Sequence, residues 1–335
     1  MSRFGATILD ADGFRLSAEE RAFFRDANPY GFILFARNID NADQVRALCG
    51  DFREAVGRDA LITIDQEGGR VQRLRAPLAR EWLAPLDHIL SAGEGAERAI
   101  YLRYRLIADE LHRLGIDSNC APMADLAFDD THPFLRNRCF GETPGAVARL
   151  ARAAAQAHLD GGVLPVLKHI PGHGRATADS HYDLPRVDAR LSDLEALDFA
   201  PFKALNDLPL GMTAHVVYSD LDEAPATLSR IVMDHIRGAI GFDGLIMTDD
   251  ISMKALSGGL GDLSRSALAA GCDVILHCNG LLEERAEVAE AAGEMTQTAQ
   301  RRAEAALDAR TKPVDIDISA CEAELATLMG EQVYG

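Results

Sequence analysis

The 335-residue chain carries 52 acidic against 34 basic side chains, a formal net charge of −18, and is 47% hydrophobic but only 6% aromatic. A field of that sign excludes general binding to nucleic acid or to anionic membranes, which needs a basic surface. The apolar fraction excludes disorder.

Short apolar runs alternate with longer helical stretches from the N-terminus onward. The runs are 5–9, 31–36, 60–65, 116–123, 163–168, 210–216, 244–249 and 272–277. Their near-continuous apolar character suits strands buried on both faces, as in a parallel sheet. Between and after them, helices are predicted over 17–27, 41–56, 92–114, 144–160, 191–206, 229–239, 262–270 and 282–310, several rich in Ala, Leu, Arg and Glu. Eight strands alternating with eight helices predict a single (β/α)8 TIM-type barrel. A doubly wound open sheet is the alternative, and it lacks the Gly-x-Gly-x-x-Gly expected after its first strand. Length alone suggests about two domains, but no linker divides the chain. The expectation is therefore one barrel domain over 1–335, with 311–335 a C-terminal tail packing on it.

The six cysteines are scattered, form no Cys-x-x-Cys pair and read as buried free thiols. The N-terminus shows no signal-peptide core, and no run of about 18 apolar residues exists. A cytoplasmic protein without a membrane or nucleic-acid partner is expected.

Barrel enzymes build their sites at the C-terminal strand ends. Those ends carry Asp65, Asp125, Lys168 with His169, His215, Asp249, and His277 with Asn279. Three segments stand out. Residues 168–183 read Lys-His-Ile-Pro-Gly-His-Gly-Arg-Ala-Thr-Ala-Asp-Ser-His-Tyr-Asp, a loop broken by Pro171, Gly172 and Gly174. Asp179 and His181 are two apart there, close enough for the carboxylate to fix the imidazole tautomer and raise its basicity for acid/base work. Gly172 and Gly174 are expected to let the 170–187 loop swing. A metal site from His169, His173 and His181 with Asp179 is the rival, but no helix would align those ligands, and no metal is expected. Residues 247–253 place two carboxylates at a strand end. Asp249 would face the barrel mouth as a nucleophile or an electrostatic stabiliser, and Asp250 would face away or begin the turn. Residues 64–73 put Asp65 at a strand end before Gly68-Gly69, followed by Arg70 and Arg73. A carboxylate so placed can accept two neighbouring sugar hydroxyls.

Together these segments resemble family 3 glycoside hydrolases, specifically the bacterial NagZ-type β-N-acetylhexosaminidases. The matching stretches are Asp-Gln-Glu-Gly-Gly-Arg-Val-Gln-Arg (65–73), Lys-His-Ile-Pro-Gly-His-Gly (168–174), Asp-Ser-His (179–181) and Thr-Asp-Asp-Ile-Ser-Met (248–253). The resemblance implies Asp249 as nucleophile, His181 as general acid/base and Asp179 as its partner. It implies Asp65, Arg73, Arg138, Lys168 and His169 as substrate-binding residues, and no cofactor. The implied substrate is a small carbohydrate, a muropeptide bearing a terminal β-linked N-acetylglucosamine, in cytoplasmic peptidoglycan recycling. A monomer is expected. Two departures stand out: Cys139 follows Arg138 where the family usually has Ser, and Ile170 replaces a more common Phe. A family 3 β-glucosidase or phosphorylase is the enzyme alternative, and an inactive sugar-binding protein the non-enzyme one.

Overall fold

The computed structural model describes residues 3–176, 183–330 and Tyr334. Eight short strands form its centre: β1 (Gly5–Leu9), β2 (Pro29–Leu34), β3 (Leu61–Ile64), β4 (Ser118–Asn119), β5 (Leu164–Ile170), β6 (Leu210–Thr213), β7 (Leu245–Met247) and β8 (Ile275–Leu276). Every residue in them is buried. That is why their sequences read as continuous apolar runs and not as alternating ones.

All strand pairs are parallel, and they form two arcs of four, β8-β1-β2-β3 and β7-β6-β5-β4. Backbone hydrogen bonds join the arcs at both seams. Asp117 and Cys120 donate to the Ile62 and Ile64 carbonyls at one. At the other, Thr248 donates to the Val274 carbonyl and Met247 bridges Val274 in parallel register. The sheet thus closes into the expected (β/α)8 barrel. β4 is shorter than the apolar run 116–123 because Pro122 has no N–H to offer the ladder. Its pairing with β5 nonetheless continues, through Lys168 N to the Pro122 carbonyl and Ala124 N to the Lys168 carbonyl.

Helices follow the strands and cover the outside. Ser17 and Glu20 make a reciprocal capping box that starts the helix Ala18–Ala27, and Asn41 caps Ala42–Val56. Three expected helices are divided. The 282–310 stretch breaks into Leu282–Ala292 and Gln297–Asp308, because Gly293 has positive φ and Thr296 caps the second piece. The 191–206 stretch becomes Leu191–Ala196 and Ala200–Ala204. The 92–114 stretch starts earlier, as Pro85–Ala92, and continues as Ala96–Arg113. Beyond residue 310, Ile318–Met329 forms a helix that lies against Pro85–Ala92 and Ala96–Arg113. Among the described residues no helix is long and apolar enough to cross a membrane.

Immediately after β3 the chain makes a small antiparallel hairpin, Gln66–Gly68 with Val71–Gln72. Its turn holds Gly69 at φ +58°. The hairpin stands on the C-terminal rim of the barrel and carries part of the site.

Candidate active site

A cavity of about 270 Å³ opens at the C-terminal end of the strands. Ligand pockets run from about 300 Å³ upward, so this one suits a single ring better than a polymer. A larger cavity of about 860 Å³ opens elsewhere, beside Pro209 and Gly244 just before β6 and β7, and neither Asp65 nor Asp249 lines it. The mouth brings together Asp65 after β3, Arg73 after the hairpin, Arg138, Lys168 and His169 on β5, and Asp249 after β7.

Four of these side chains and one unanticipated acid form a charge clamp. Lys168 Nζ lies 3.1 Å from Asp65 Oδ1 and 2.6 Å from Glu67 Oε1. Arg138 grips Glu67 with two hydrogen bonds of 2.9 and 2.8 Å, the bidentate geometry that suits a guanidinium. Arg73 donates to the other Asp65 oxygen at 3.0 Å. Burial alone would raise both carboxyl pKa values. The neighbouring cations outweigh it, holding Asp65 well below the usual carboxylate range and Glu67 at about 2. Desolvation would discharge Lys168, but Glu67 and Asp65 keep its pKa above the ordinary lysine value. The clamp is therefore charged, and its members hold one another in fixed directions at the cavity wall.

His169 is aimed by a buried acid. Its Nδ1 lies 2.7 Å from Asp125 Oδ2. Burial works against ionisation of Asp125, yet His169, His173 and the His173 backbone N–H lower its pKa. An ionised carboxylate can only accept, so the proton sits on Nδ1 and Nε2 is the ring atom left for a ligand.

Asp249 borders the cavity with one oxygen capped: the Asp250 backbone N–H donates to Oδ1 at 2.8 Å. Desolvation opposes its charge, but His215, His169, that N–H and Lys168 together lower the pKa below the carboxylate norm. An ionised carboxylate with a free oxygen in a small cavity can attack an electrophilic carbon or stabilise a cationic one. Asp250 also borders the cavity and begins the turn: its Oδ1 accepts from Ser252 N at 3.0 Å, Ser252 Oγ at 2.8 Å and Cys278 N at 3.2 Å. Burial outweighs these bonds and raises its pKa to about 6.

Asp179 and His181 lie outside the described residues, and so does the part of the metal alternative that needs them. Among the described residues no three His, Cys, Asp or Glu side chains are placed to share a metal ion. Part of the 170–187 loop expected to swing lies outside the described residues too, and the two glycines that precede that part are closely packed. A Cβ on Gly174 would sit 1.9 Å from the Leu126 carbonyl oxygen, and one on Gly172, at φ +147°, 2.9 Å from that of Asp198. Close backbone packing explains both. His277, a strand-end candidate, is fully buried, while Asn279 lines the cavity rim and accepts from Arg37 at 2.5 Å.

Asp125 was a strand-end candidate without a stated role, and Glu67 was not singled out from the sequence at all. The signal for Glu67 was the two-residue period. Residues 65 and 67 share a face of the extended chain, whereas Gln66 turns away and bonds the backbone of Arg73 and Leu74. Cys139 is fully buried beside Arg138, where its thiol bonds the Leu135 carbonyl. The missing Ser hydroxyl thus leaves the Arg138 clamp intact.

A closed parallel barrel with an ionised, one-side-capped carboxylate and a polar clamp in its mouth fits a barrel glycoside hydrolase. The model of the glycosyl hydrolase family 3 N-terminal domain matches residues 6–311, and the chain belongs to that family. A beta-hexosaminidase of Tolumonas auensis is 38% identical over 283 residues, covering 82% of this chain and 83% of the relative. Native NagZ of Neisseria gonorrhoeae superposes with a TM-score of 0.84 at 31% identity, covering 98% of this chain and 96% of that one. The same gonococcal protein in complex with N-trifluoroacetyl-D-glucosamine gives a TM-score of 0.83 at 33% identity, with 98% of both chains covered.

Proposed function

We propose that the protein is a retaining β-N-acetylhexosaminidase that releases terminal, non-reducing β-linked N-acetylglucosamine, with a muropeptide in cytoplasmic peptidoglycan recycling as its substrate. The observation that carries the reading is the ionised Asp249 carboxylate, with one oxygen held by a backbone N–H, opposite the Asp65–Lys168–Glu67–Arg138 clamp. Beta-hexosaminidase relatives and a neighbour solved with an N-acylglucosamine support the choice of sugar.

In the proposed reaction the clamp and His169 hold the sugar hydroxyls. Asp249 attacks C1 as His181 protonates the departing glycosidic oxygen, and a covalent glycosyl-enzyme forms with inversion. His181, now neutral, takes a proton from water, which attacks C1 and displaces Asp249 with a second inversion. Asp179 orients the His181 ring and supports its protonated form. An imidazole with a reference pKa of about 6.5 serves in both directions near neutral pH. Cations around the mouth, Arg70 and Arg73 among them, offset the global charge of −18 for a substrate that itself bears carboxylates.

The test compares turnover of an aryl N-acetyl-β-glucosaminide with that of an aryl β-glucoside, with and without phosphate. Turnover of the first alone, with retention at C1 and no phosphate dependence, is expected. Turnover of the glucoside alone, or an obligatory phosphate, would overturn the reading. A fluorinated substrate should trap the enzyme on the peptide containing Asp249, and a label elsewhere removes the nucleophile assignment. Comparing a purified N-acetylglucosaminyl-anhydromuramyl peptide with chitobiose tests the natural substrate.

A further inference from the structure

His215 lies two residues beyond the end of β6, fully buried, and is engaged at both ring nitrogens. Nε2 is 3.0 Å from the Asp250 carbonyl oxygen, and Nδ1 is 2.7 Å from Thr227 Oγ1. A carbonyl can only accept, so Nε2 carries a proton. Thr227 is fixed in turn: its hydroxyl lies 2.8 Å from Thr213 Oγ1 and 3.1 Å from the Ala214 carbonyl. The turn that carries it is tied down by Ala226 N to the Val216 carbonyl at 2.8 Å. The imidazole is thus bonded at opposite edges, which leaves the ring one orientation.

Asp250 is where this matters. His215 holds its carbonyl from the β6 side, and Cys278 N holds its carboxylate from the β8 side at 3.2 Å. Ile251 N also bonds the Leu276 carbonyl at 2.9 Å. A residue tethered from both neighbouring strands has one direction for its own N–H, and that N–H caps Asp249 Oδ1.

We propose that His215 is a positioning residue for the nucleophile: through the Asp250 backbone it fixes which Asp249 oxygen is capped and which one faces the anomeric carbon. The proposal rests on the reading of Asp249 as nucleophile. His215 also lowers the Asp249 pKa directly, and neither effect requires it to touch the sugar, so its contribution falls on the chemical step and leaves ground-state binding untouched. Misplacement of a reacting group by about 1 Å lowers rate by about 100-fold.

The experiment uses the full chain carrying His215→Phe, which removes the donor, and His215→Gln, whose amide can still reach the Asp250 carbonyl. Their kcat and KM on 4-nitrophenyl N-acetyl-β-glucosaminide are set beside the inhibition constant of N-acetylglucosamine. His215→Phe should lose about 100-fold in kcat while the inhibition constant stays within about twofold. His215→Gln should recover at least about tenfold of that loss. A phenylalanine variant with near-normal kcat, a parallel loss of sugar binding, or a glutamine variant no better than phenylalanine would each overturn the proposal. Should His215→Phe not fold, Thr227→Val removes the Nδ1 partner and is expected to lower kcat about tenfold at unchanged inhibition constant. An unchanged kcat there overturns it equally. A wild-type protein without turnover would instead refute the glycosidase reading, and active wild type with indifferent variants only the role of His215.

Discussion

Glu67→Gln is the most informative single change to the clamp. Glutamine keeps the volume of the side chain, so no cavity forms, but it sets an amide N–H against the Arg138 or Lys168 donors. The Glu67 carboxyl lies at about 2 against an ordinary 4.5. At about 1.4 kcal/mol per tenfold step, that difference is about 3 kcal/mol of stability at neutral pH. Removing one partner of a buried ion pair costs about 3–5 kcal/mol, which agrees. Unfolding entropy of about 2.1 cal/mol/K per residue gives about 0.7 kcal/mol/K for this length, so the thermal midpoint should fall by about 4–5 °C. Folding depresses this pKa. The stabilisation is therefore complete above 4.5 and is lost as pH falls through about 2. The gap between wild type and variant should be level from about pH 5 to 8 and shrink to about 1.4 kcal/mol at pH 3. Urea unfolding at pH 7, 5 and 3 measures it. A gap below about 1 kcal/mol at pH 7, or one that widens on acidification, would refute the reasoning.

Asp250→Asn tests the opposite sign. Burial raises the Asp250 pKa from 3.8 to about 6, so its contribution to stability is full below 3.8 and disappears as pH rises through 6, a change of about 3 kcal/mol. Asparagine can still accept from Ser252 and Cys278, so the variant should gain on wild type between pH 4 and 7 in the same unfolding assay, and a pH-independent gap contradicts this. Gly174→Ala must displace backbone at Leu126. It should lower kcat by about 100-fold, because the displaced segment leads into Asp179 and His181, and wild-type kcat would show that the close approach is unimportant. His181→Ala should slow poor leaving groups far more than good ones, since only the former need protonation; equal losses across a series of aryl glycosides would remove the acid role.

Much of this architecture was legible because burial on both faces leaves a plain mark: a barrel strand such as Phe32–Leu34 has no polar alternation to confuse. Helix starts at Ser17 and Asn41 were legible through their caps. Divisions at Gly293 and near Leu197 were not, since helix-forming residues flank both breaks and tertiary contacts decide where the chain turns. The hairpin after β3 is too short to be read from the sequence as a pair of strands, though the 65/67 spacing was there to be used. Strand-end chemistry singled out eight residues, of which Asp65, Lys168, His169, Asp249 and Asn279 line the cavity while Asp125, His215 and His277 do not. Glu67 escaped because it lies beyond the strand end, beneath the cations and out of contact with bulk water. The His215 contact to a main-chain carbonyl on the next strand has no sequence signature at all.

The mouth of the barrel is also its rivet. The clamp crosses one seam between the two four-stranded arcs, from Asp65 and Glu67 to Lys168 and Arg138. The Asp250–Cys278 and Ile251–Leu276 bonds cross the other. A sugar bound as proposed, between Asp65 and Asp249, would fasten the halves together, which links ligand affinity to resistance to unfolding. Loosening the clamp to admit a different sugar would also loosen the closure of the sheet. Phe35 and Phe134 at the rim take part in none of these cross-seam bonds, so changes there leave the fastening bonds at the centre in place.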